Sequence, residues 1–432
     1  MHCAFMRRIR IISFLLLLLP FLSCERDGYD LSLTLGPYGK GETRRVLLLY
    51  EAGFNTISED IAKNVATLKE GWLPGNERND NVLLVLTHLK EKGYSLETSP
   101  VMVRLSQTHG ILVTDTLKVW PAGTSLANAA MVNEVFNWVR DEFPAAGYGA
   151  IMSSHATGWL PEGYFSTPGK YNDFRSSGND YWGVPQMRTF GQEYYNAGKN
   201  NEEIEIHDLA AAIPYHLDYI LFDACLMSTV EVAWELKDVC SYLAVSPCEI
   251  PAAGFDYTNL AKHLLGGKTP DLEGVCRDYF AQYEHDSTYG ATITMIDCHA
   301  LPGLADVCRP LFERYRDAIR NLDGKNVQVY DRRYGKDYYA FFDLKDMLRE
   351  AGALDSELAT LQEALDEVIV FEAHTPAFML NIRGMYLERC CGLSTYLPSY
   401  PDYRASIWHG TRFLDGFYKE NVAWNQATQL VE

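Results

Sequence analysis

The chain has 432 residues, 47 % of them apolar and 22 % charged, enough to bury a substantial core as one large α/β domain or two domains. Its formal charge is −19, and removing residues 1–23, which carry Arg7, Arg8 and Arg10 and no acid, takes it to −22. That balance argues against nucleic-acid or anionic-membrane binding and would attract cationic substrates.

Residues 1–23 read as a targeting segment. Three arginines precede an apolar run at residues 11–22 that is short and unevenly flanked for a spanning helix. The run closes on Phe21-Leu22-Ser23-Cys24, which resembles a bacterial lipoprotein signal in which Cys24 is acylated and becomes the first residue. The other reading is an ordinary secretory peptide with an incidental cysteine. Residues 24–43 are polar with Gly and Pro and read as a tether. The expectation is an exported lipoprotein anchored to a membrane in the periplasm, at the outer membrane or on the cell surface.

From residue 44 strands and helices alternate, the mark of a layered α/β domain. Arg45-Val-Leu-Leu-Leu-Tyr50 reads as a buried strand, followed by a helix with Ile57, Ile61, Val65, Leu68 and Trp72 on one stripe. Residues 81–86 form the next apolar run. Residues 101–105 and 111–119 suit a hairpin turning at His109-Gly110. Val132, Val135, Phe136, Val139 and Phe143 mark another helix, and residues 148–154 a strand leading to His155.

Residues 160–203 break the pattern with many Gly, Tyr, Asn and Ser, and a loop this long in a compact domain is functional or mobile. A helix from His207, a strand at 219–222 and a helix over about 227–239 follow. Residues 242–246 and 291–296 read as further strands. Beyond residue 301 the pattern turns helical, with a long helix at 356–371 and a short strand near 393–397.

Ten cysteines occur; Cys3 would be lost with the targeting segment and Cys24 taken up by the lipid. The other eight show no Cys-x-x-Cys pair, and no His-x-x-x-His pair exists, so no structural zinc site is expected. In an exported chain some of them can pair, but most suit a core.

Two strand ends carry the chemistry. Ile151-Met-Ser-Ser-His155-Ala-Thr-Gly158-Trp159 ends one apolar run in an imidazole, and Ile220-Leu-Phe-Asp-Ala-Cys225-Leu-Met227 ends another in a thiol. Carboxyl ends of buried parallel strands are where open α/β sheets place their sites. A helix beginning just after Cys225 would lower the thiol pKa and aim backbone N–H groups at a developing oxyanion. A histidine of near-neutral pKa suits proton transfer, and Trp159 suits a pocket wall. Each residue alone is as well explained as a structural one: a buried thiol, a hydrogen-bonded imidazole.

Together the motifs resemble the clostripain family of cysteine peptidases, relatives of caspases, legumains and gingipains. His155-Ala-Thr-Gly158-Trp159 is similar to the family's His-Gly-x-Gly-Trp, and Phe222-Asp-Ala-Cys-Leu-Met227 to its Phe-Asp-Ala-Cys-Leu-Met. Tyr50-Glu-Ala-Gly-Phe-Asn55, Asp208-Leu-Ala-Ala-Ala-Ile213 and Gly392-Leu-Ser-Thr-Tyr-Leu-Pro398 extend the likeness over about residues 44–417. The resemblance implies a three-layer α/β/α caspase-like fold with a mostly parallel central sheet. The peptidase core would span 44–300, and a helical C-terminal part at 301–432 would complete the fold.

The resemblance also implies roles. Cys225 matches the nucleophile and His155 its partner, and N–H groups near Ala156 and Cys225 would hold the oxyanion. Asp223 matches the acid at the floor of the pocket for the residue preceding the scissile bond, implying cleavage after Arg or Lys; the plainer reading is a loop or capping carboxylate. A second acid is expected near Glu249 or Asp256. Two positions depart from the family: Ala156 stands where Gly is usual, and Ser246-Pro-Cys-Glu249 where Ser-Glu-Glu is usual. A left-handed backbone at Ala156 would cost about 1 kcal/mol or more. Members are often cut between the two motifs, which makes Lys170, Arg175, Arg188 and Lys199 candidate self-cleavage sites; an uncleaved flap is the alternative.

No cofactor is expected. Calcium activates some relatives, but no EF-hand loop occurs and the acidic stretch at 76–81 reads as solvated surface. The expected partners are protein or peptide substrates and, through the anchor, a membrane. The rival to an exported cysteine endopeptidase is a surface binding protein that keeps the fold without catalysis, and a thiol hydrolase of non-peptide amides is a further alternative.

Overall fold

The computed structural model describes residues 44–90, 98–161, 190–193, 202–286, 288–331, 339–398 and 413–432. The targeting segment, Cys24, the tether, Lys170, Arg175, Arg188 and Lys199 lie outside the described residues.

Chain order sets the frame: β1 (Arg45–Gly53), α1 (Ser58–Glu70), β2 (Val82–Leu89), the hairpin β3 (Val101–Thr108) and β4 (Ile111–Val119), α2 (Ala129–Glu142) and β5 (Gly147–Ser153). A short hairpin follows, β6 (Phe190–Glu193) and β7 (Glu202–Ile204), then α3 (Ile206–Ala212), β8 (Leu217–Asp223), α4 (Val230–Leu236), β9 (Cys240–Val245), α5 (Tyr257–Leu265), α6 (Leu272–Tyr283) and β10 (Thr292–Asp297). The last third contributes α7 (Leu301–Arg320), β11 (Phe342–Asp343), α8 (Leu344–Glu350), α9 (Asp355–Val368) and β12 (Ile369–His374). It then adds the short β13 (Ala377–Phe378), β14 (Met385–Tyr386) and β15 (Ser394–Thr395), closing with α10 (Phe413–Asn421) and α11 (Ala423–Thr428).

One nine-stranded sheet runs in the order β12-β10-β9-β8-β5-β1-β2-β3-β4. The five middle strands pair in parallel, and of all nine only β3 and β10 run against the rest. The middle strands read as unbroken apolar runs because both faces are covered. Val46, Leu48 and Tyr50 of β1 point into one core with α2, α3, α4, α7 and α9, while Leu47 and Leu49 point into a second core with α5 and α6. The result is a three-layer α/β/α fold.

β2 lies on one side of β1, whereas β5, β8 and β9 continue on the other. The direction of winding therefore reverses between β1 and β5, and such a switch point opens a crevice at the carboxyl ends of its strands.

The hairpin turns at His109 and Gly110, both at positive φ (53° and 76°), as a two-residue turn matched to strand twist requires. Three expectations are corrected. The helix after Cys225 begins only at Val230, capped by Thr229, whose side chain accepts from the Val232 N–H. The helix expected at 356–371 stops at Val368; from Ile369 the chain is strand β12, paired antiparallel with β10. Two helices, α5 and α6, fill the stretch between β9 and β10 where sequence reading assigned none.

Candidate active site

β5 and β8 are parallel neighbours with Ser153 opposite Asp223, so the loops carrying His155 and Cys225 leave the sheet side by side. Gly158 locks them together. Its φ is +58°, and an added Cβ would sit 2.5 Å from the Leu226 carbonyl oxygen, so only glycine lets the two loops approach this closely. Leu226, next to the thiol, also holds positive φ (60°), a conformation costing a non-glycine residue about 1 kcal/mol. Its N–H donates to the Cys248 carbonyl (2.9 Å), which fixes the turn behind the nucleophile.

The Cys225 thiol is half-buried, with its Sγ 4.0 Å from the Ile250 carbonyl oxygen. α4 starts five residues later, so no helix terminus lies at the sulfur. Behind it, Ser228 Oγ donates to the Gly392 carbonyl (2.7 Å) and the Ser394 N–H to the Ser228 carbonyl (3.0 Å), so the Gly392-Leu-Ser-Thr motif buttresses the thiol loop.

His155 is held from β1. Its Nε2 shares a 2.7 Å hydrogen bond with Thr56 Oγ1. Ser154 Oγ donates to the Ala52 carbonyl (2.7 Å), and so does Asn55 Nδ2 (3.0 Å). The Tyr50-Glu-Ala-Gly-Phe-Asn55 stretch thus clamps the histidine loop, and Nδ1 is left without a hydrogen bond among the described residues. Burial, with the nearby Lys90 charge adding, pulls the imidazole pKa down to about 4. The ring is therefore neutral at rest. Thr56, which holds His155 Nε2, escapes sequence reasoning, since a lone threonine in a turn carries no signal.

Strand β6 packs on this loop: Ala156 bridges to Phe190, and the Gly191 N–H donates to the His155 carbonyl (3.0 Å). Glu193 ends β6 in a buried pair with His88 (2.8 Å), and Phe54 stacks on that imidazole at 4.7 Å. Ala156 is absent from the residues at positive φ, so its backbone N–H is kept without strain. Trp159 departs from expectation. It is buried among Phe341, Tyr396 and Tyr418.

Asp223 is half-buried. Its Oδ2 accepts from the Tyr257 hydroxyl (2.6 Å), with Ser153 Oγ at 3.5 Å. Gly254, at φ +65°, lies so close that a Cβ there would stand 2.3 Å from the same oxygen. Burial raises the Asp223 pKa to about 6, and the two hydroxyls oppose the rise. The other expected acids make different contacts. Asp256 caps α5, accepting from the Thr258 N–H (3.0 Å) and Asn259 Nδ2 (2.7 Å); its neighbour Tyr257 is what reaches Asp223. Glu249 is buried beside Cys248 and Asp331, whose carboxyl is pushed up to about 8 mainly by burial, with the Glu249 charge adding.

No disulfide joins the eight described cysteines to one another, and the Sγ atoms of Cys240 and Cys298 lie 3.9 Å apart. Among the described residues no cluster of His, Cys, Asp and Glu suits a metal ion, and no helix is long and apolar enough to cross a membrane.

A thiol and an imidazole on adjacent parallel strand ends, in a three-layer α/β/α fold, suit a cysteine-type peptidase. The family model for the clostripain family matches residues 50–425, and the chain belongs to that family. In fold it is similar to a C11 protease from Parabacteroides distasonis solved as an inactive zymogen, with TM-score 0.70, 24 % identity, and coverage of 91 % of this chain and 99 % of that one. It is similar also to a secreted C11 cysteine protease from Bacteroides thetaiotaomicron solved in complex with an irreversible peptide inhibitor, with TM-score 0.68, 23 % identity, and coverage of 90 % and 99 %. No curated protein matches it in sequence at a significant level.

Proposed function

We propose that this cysteine peptidase is an exported, lipid-anchored endopeptidase that cleaves after Arg or Lys through a Cys225–His155 dyad. The observation that carries the reading is the shared edge of β5 and β8, where Gly158 holds the two loops in contact and Asp223 stands two residues from the thiol.

Neutral His155, oriented by Thr56 at Nε2, takes the thiol proton as the sulfur attacks the scissile carbonyl carbon. The carbonyl oxygen becomes an oxyanion, held by N–H groups near Ala156 and Cys225. The imidazolium gives its proton to the leaving amine, the C–N bond breaks, and an acyl-enzyme remains. Water then attacks the thioester, loses a proton to His155, and the thiolate leaves and recovers it. Asp223 faces the pocket of the residue before the scissile bond, where its carboxylate would pair with a guanidinium or ammonium group.

The anchor reading rests on residues 1–24, with Cys24 as the acylated residue and the polar stretch 24–43 as the tether. Cys24→Ala should release the protein from the membrane fraction. No cofactor enters this chemistry, and activity should persist in the presence of a calcium chelator.

The purified protein should cleave arginyl and lysyl fluorogenic peptides, and Cys225→Ala should lower turnover by about 10³-fold or more. Unchanged turnover in that variant overturns the nucleophile, and absence of cleavage after basic residues in the wild type overturns the specificity.

A further inference from the structure

Strand β1 is apolar until Glu51, which falls at its carboxyl end beside the reversal of winding. Register puts Glu51 opposite Ser153, and Ser153 opposite Asp223. Residues opposite one another on parallel strands share a face, so these three side chains form one row across β1, β5 and β8. The row points to the layer built by α5 and α6, from which Tyr257 meets Ser153 (3.3 Å) and Asp223 (2.6 Å).

Glu51 is 0 % exposed, and neither carboxylate oxygen has a hydrogen-bond partner among the described residues. Ser153 Oγ, already turned to Tyr257 and Asp223, eases its charge without completing a bond. The Tyr279 hydroxyl on α6 is likewise buried and unpartnered, and it feels the charges of Asp223 and Cys225. A buried acid with no donor costs stability, and a sheet has no use for one at this position. The crevice between β1 and β5, by contrast, is where such a fold takes its ligand.

We propose that Glu51 is a second specificity acid, set behind Asp223 at the floor of the pocket for the residue preceding the scissile bond, and that it serves a cationic side chain there. It acts as a positioning residue. Asp223 meets the guanidinium or ammonium group, and Glu51 adds a second negative charge beneath it when that cation enters. Burial and the Asp223 carboxylate hold Glu51 up at about 8, so the empty pocket keeps a proton there and avoids two adjacent bare charges. The arriving cation replaces that proton, which passes to water.

The inference rests on the Arg/Lys reading and is tested apart from it. Paired peptides carrying arginine or citrulline, its neutral isostere, before the scissile bond report charge recognition as a ratio of kcat/KM. In Glu51→Gln that ratio should fall tenfold or more, carried by KM, and Glu51→Asp should restore most of it while changing the Arg-to-Lys preference at least threefold. Asp223→Asn should lower the same ratio, and the double variant should lose less than the product of the two. A wild-type ratio near one defeats the Arg/Lys reading itself. A wild type that prefers arginine, with the ratio unchanged in Glu51→Gln, overturns Glu51 alone. Should Glu51→Gln fail to fold, an Arg-to-Lys preference unmoved in Glu51→Asp overturns it equally.

Discussion

Two buried glutamates, one in β1 and one in α4, are almost equally shut from water, at 0 % and 1 % exposure, yet are treated oppositely. Glu231 Oε1 accepts from Thr395 Oγ1 (2.8 Å), the Tyr396 N–H (3.1 Å) and the Tyr418 hydroxyl (2.6 Å), tying the helix after the thiol loop to the last quarter of the chain. Glu51 accepts none. Desolvation raises both carboxyls, but only at Glu231 do several donors oppose it. The contrast separates a carboxylate that builds the fold from one that the fold tolerates beside its site. Buried polar groups are satisfied as a rule, and Glu51 departs from it with both carboxylate oxygens unpartnered, where Glu231 leaves only Oε2 so.

Substitutions can break or sharpen that contrast. The largest stability effect belongs to Glu231→Gln, which keeps the shape, turns one acceptor into a donor and should cost about 2 kcal/mol in urea unfolding. A loss of charge recognition there would blur the distinction. Next is Thr56→Val, which removes the hydrogen bond to His155 Nε2 and keeps the volume; kcat should drop about tenfold with the melting temperature held, roughly 1.4 kcal/mol of transition-state stabilisation.

A further effect has the opposite sign from Glu231→Gln. Unfolded, Glu51 gives up its proton near 4.5, and in the fold near 8. Between those values the fold holds a proton that the unfolded chain has lost, so stability falls as pH rises through this window. Glu51→Gln escapes the loss. It should match the wild type near pH 4 and exceed it above pH 8 by about 1 kcal/mol or more, measured by thermal melts across pH. Equal melts at pH 9 would mean that Glu51 pays no penalty for its burial.

Much of this was legible in the sequence. The apolar runs of β1, β5 and β8, the amphipathic stripe of α2 and the hairpin at His109-Gly110 fall where periodicity and turn chemistry put them. The two motifs marked the strand ends, because a sheet buried on both faces breaks its apolar run only where it stops. Other features depended on tertiary contacts. β12 follows α9 without a break, and its apolar residues continue the helical spacing, so only pairing with β10 reveals a strand. Trp159 reads equally as pocket wall or core until its aromatic neighbours are known. Asp256 and Glu249 were sensible second acids by proximity in sequence, whereas register, which no single segment discloses, brings Glu51 into line with Asp223. The available signal was a carboxylate set directly after the apolar run Val46-Leu-Leu-Leu-Tyr50.

The most direct test of the site is covalent. The wild-type protein, treated with peptidyl acyloxymethyl ketones ending in arginine, lysine or norleucine and then mapped by mass spectrometry, should carry the arginyl and lysyl labels on Cys225 much faster than the norleucyl label. Labelling of another cysteine, or equal rates for the three reagents, would contradict the account.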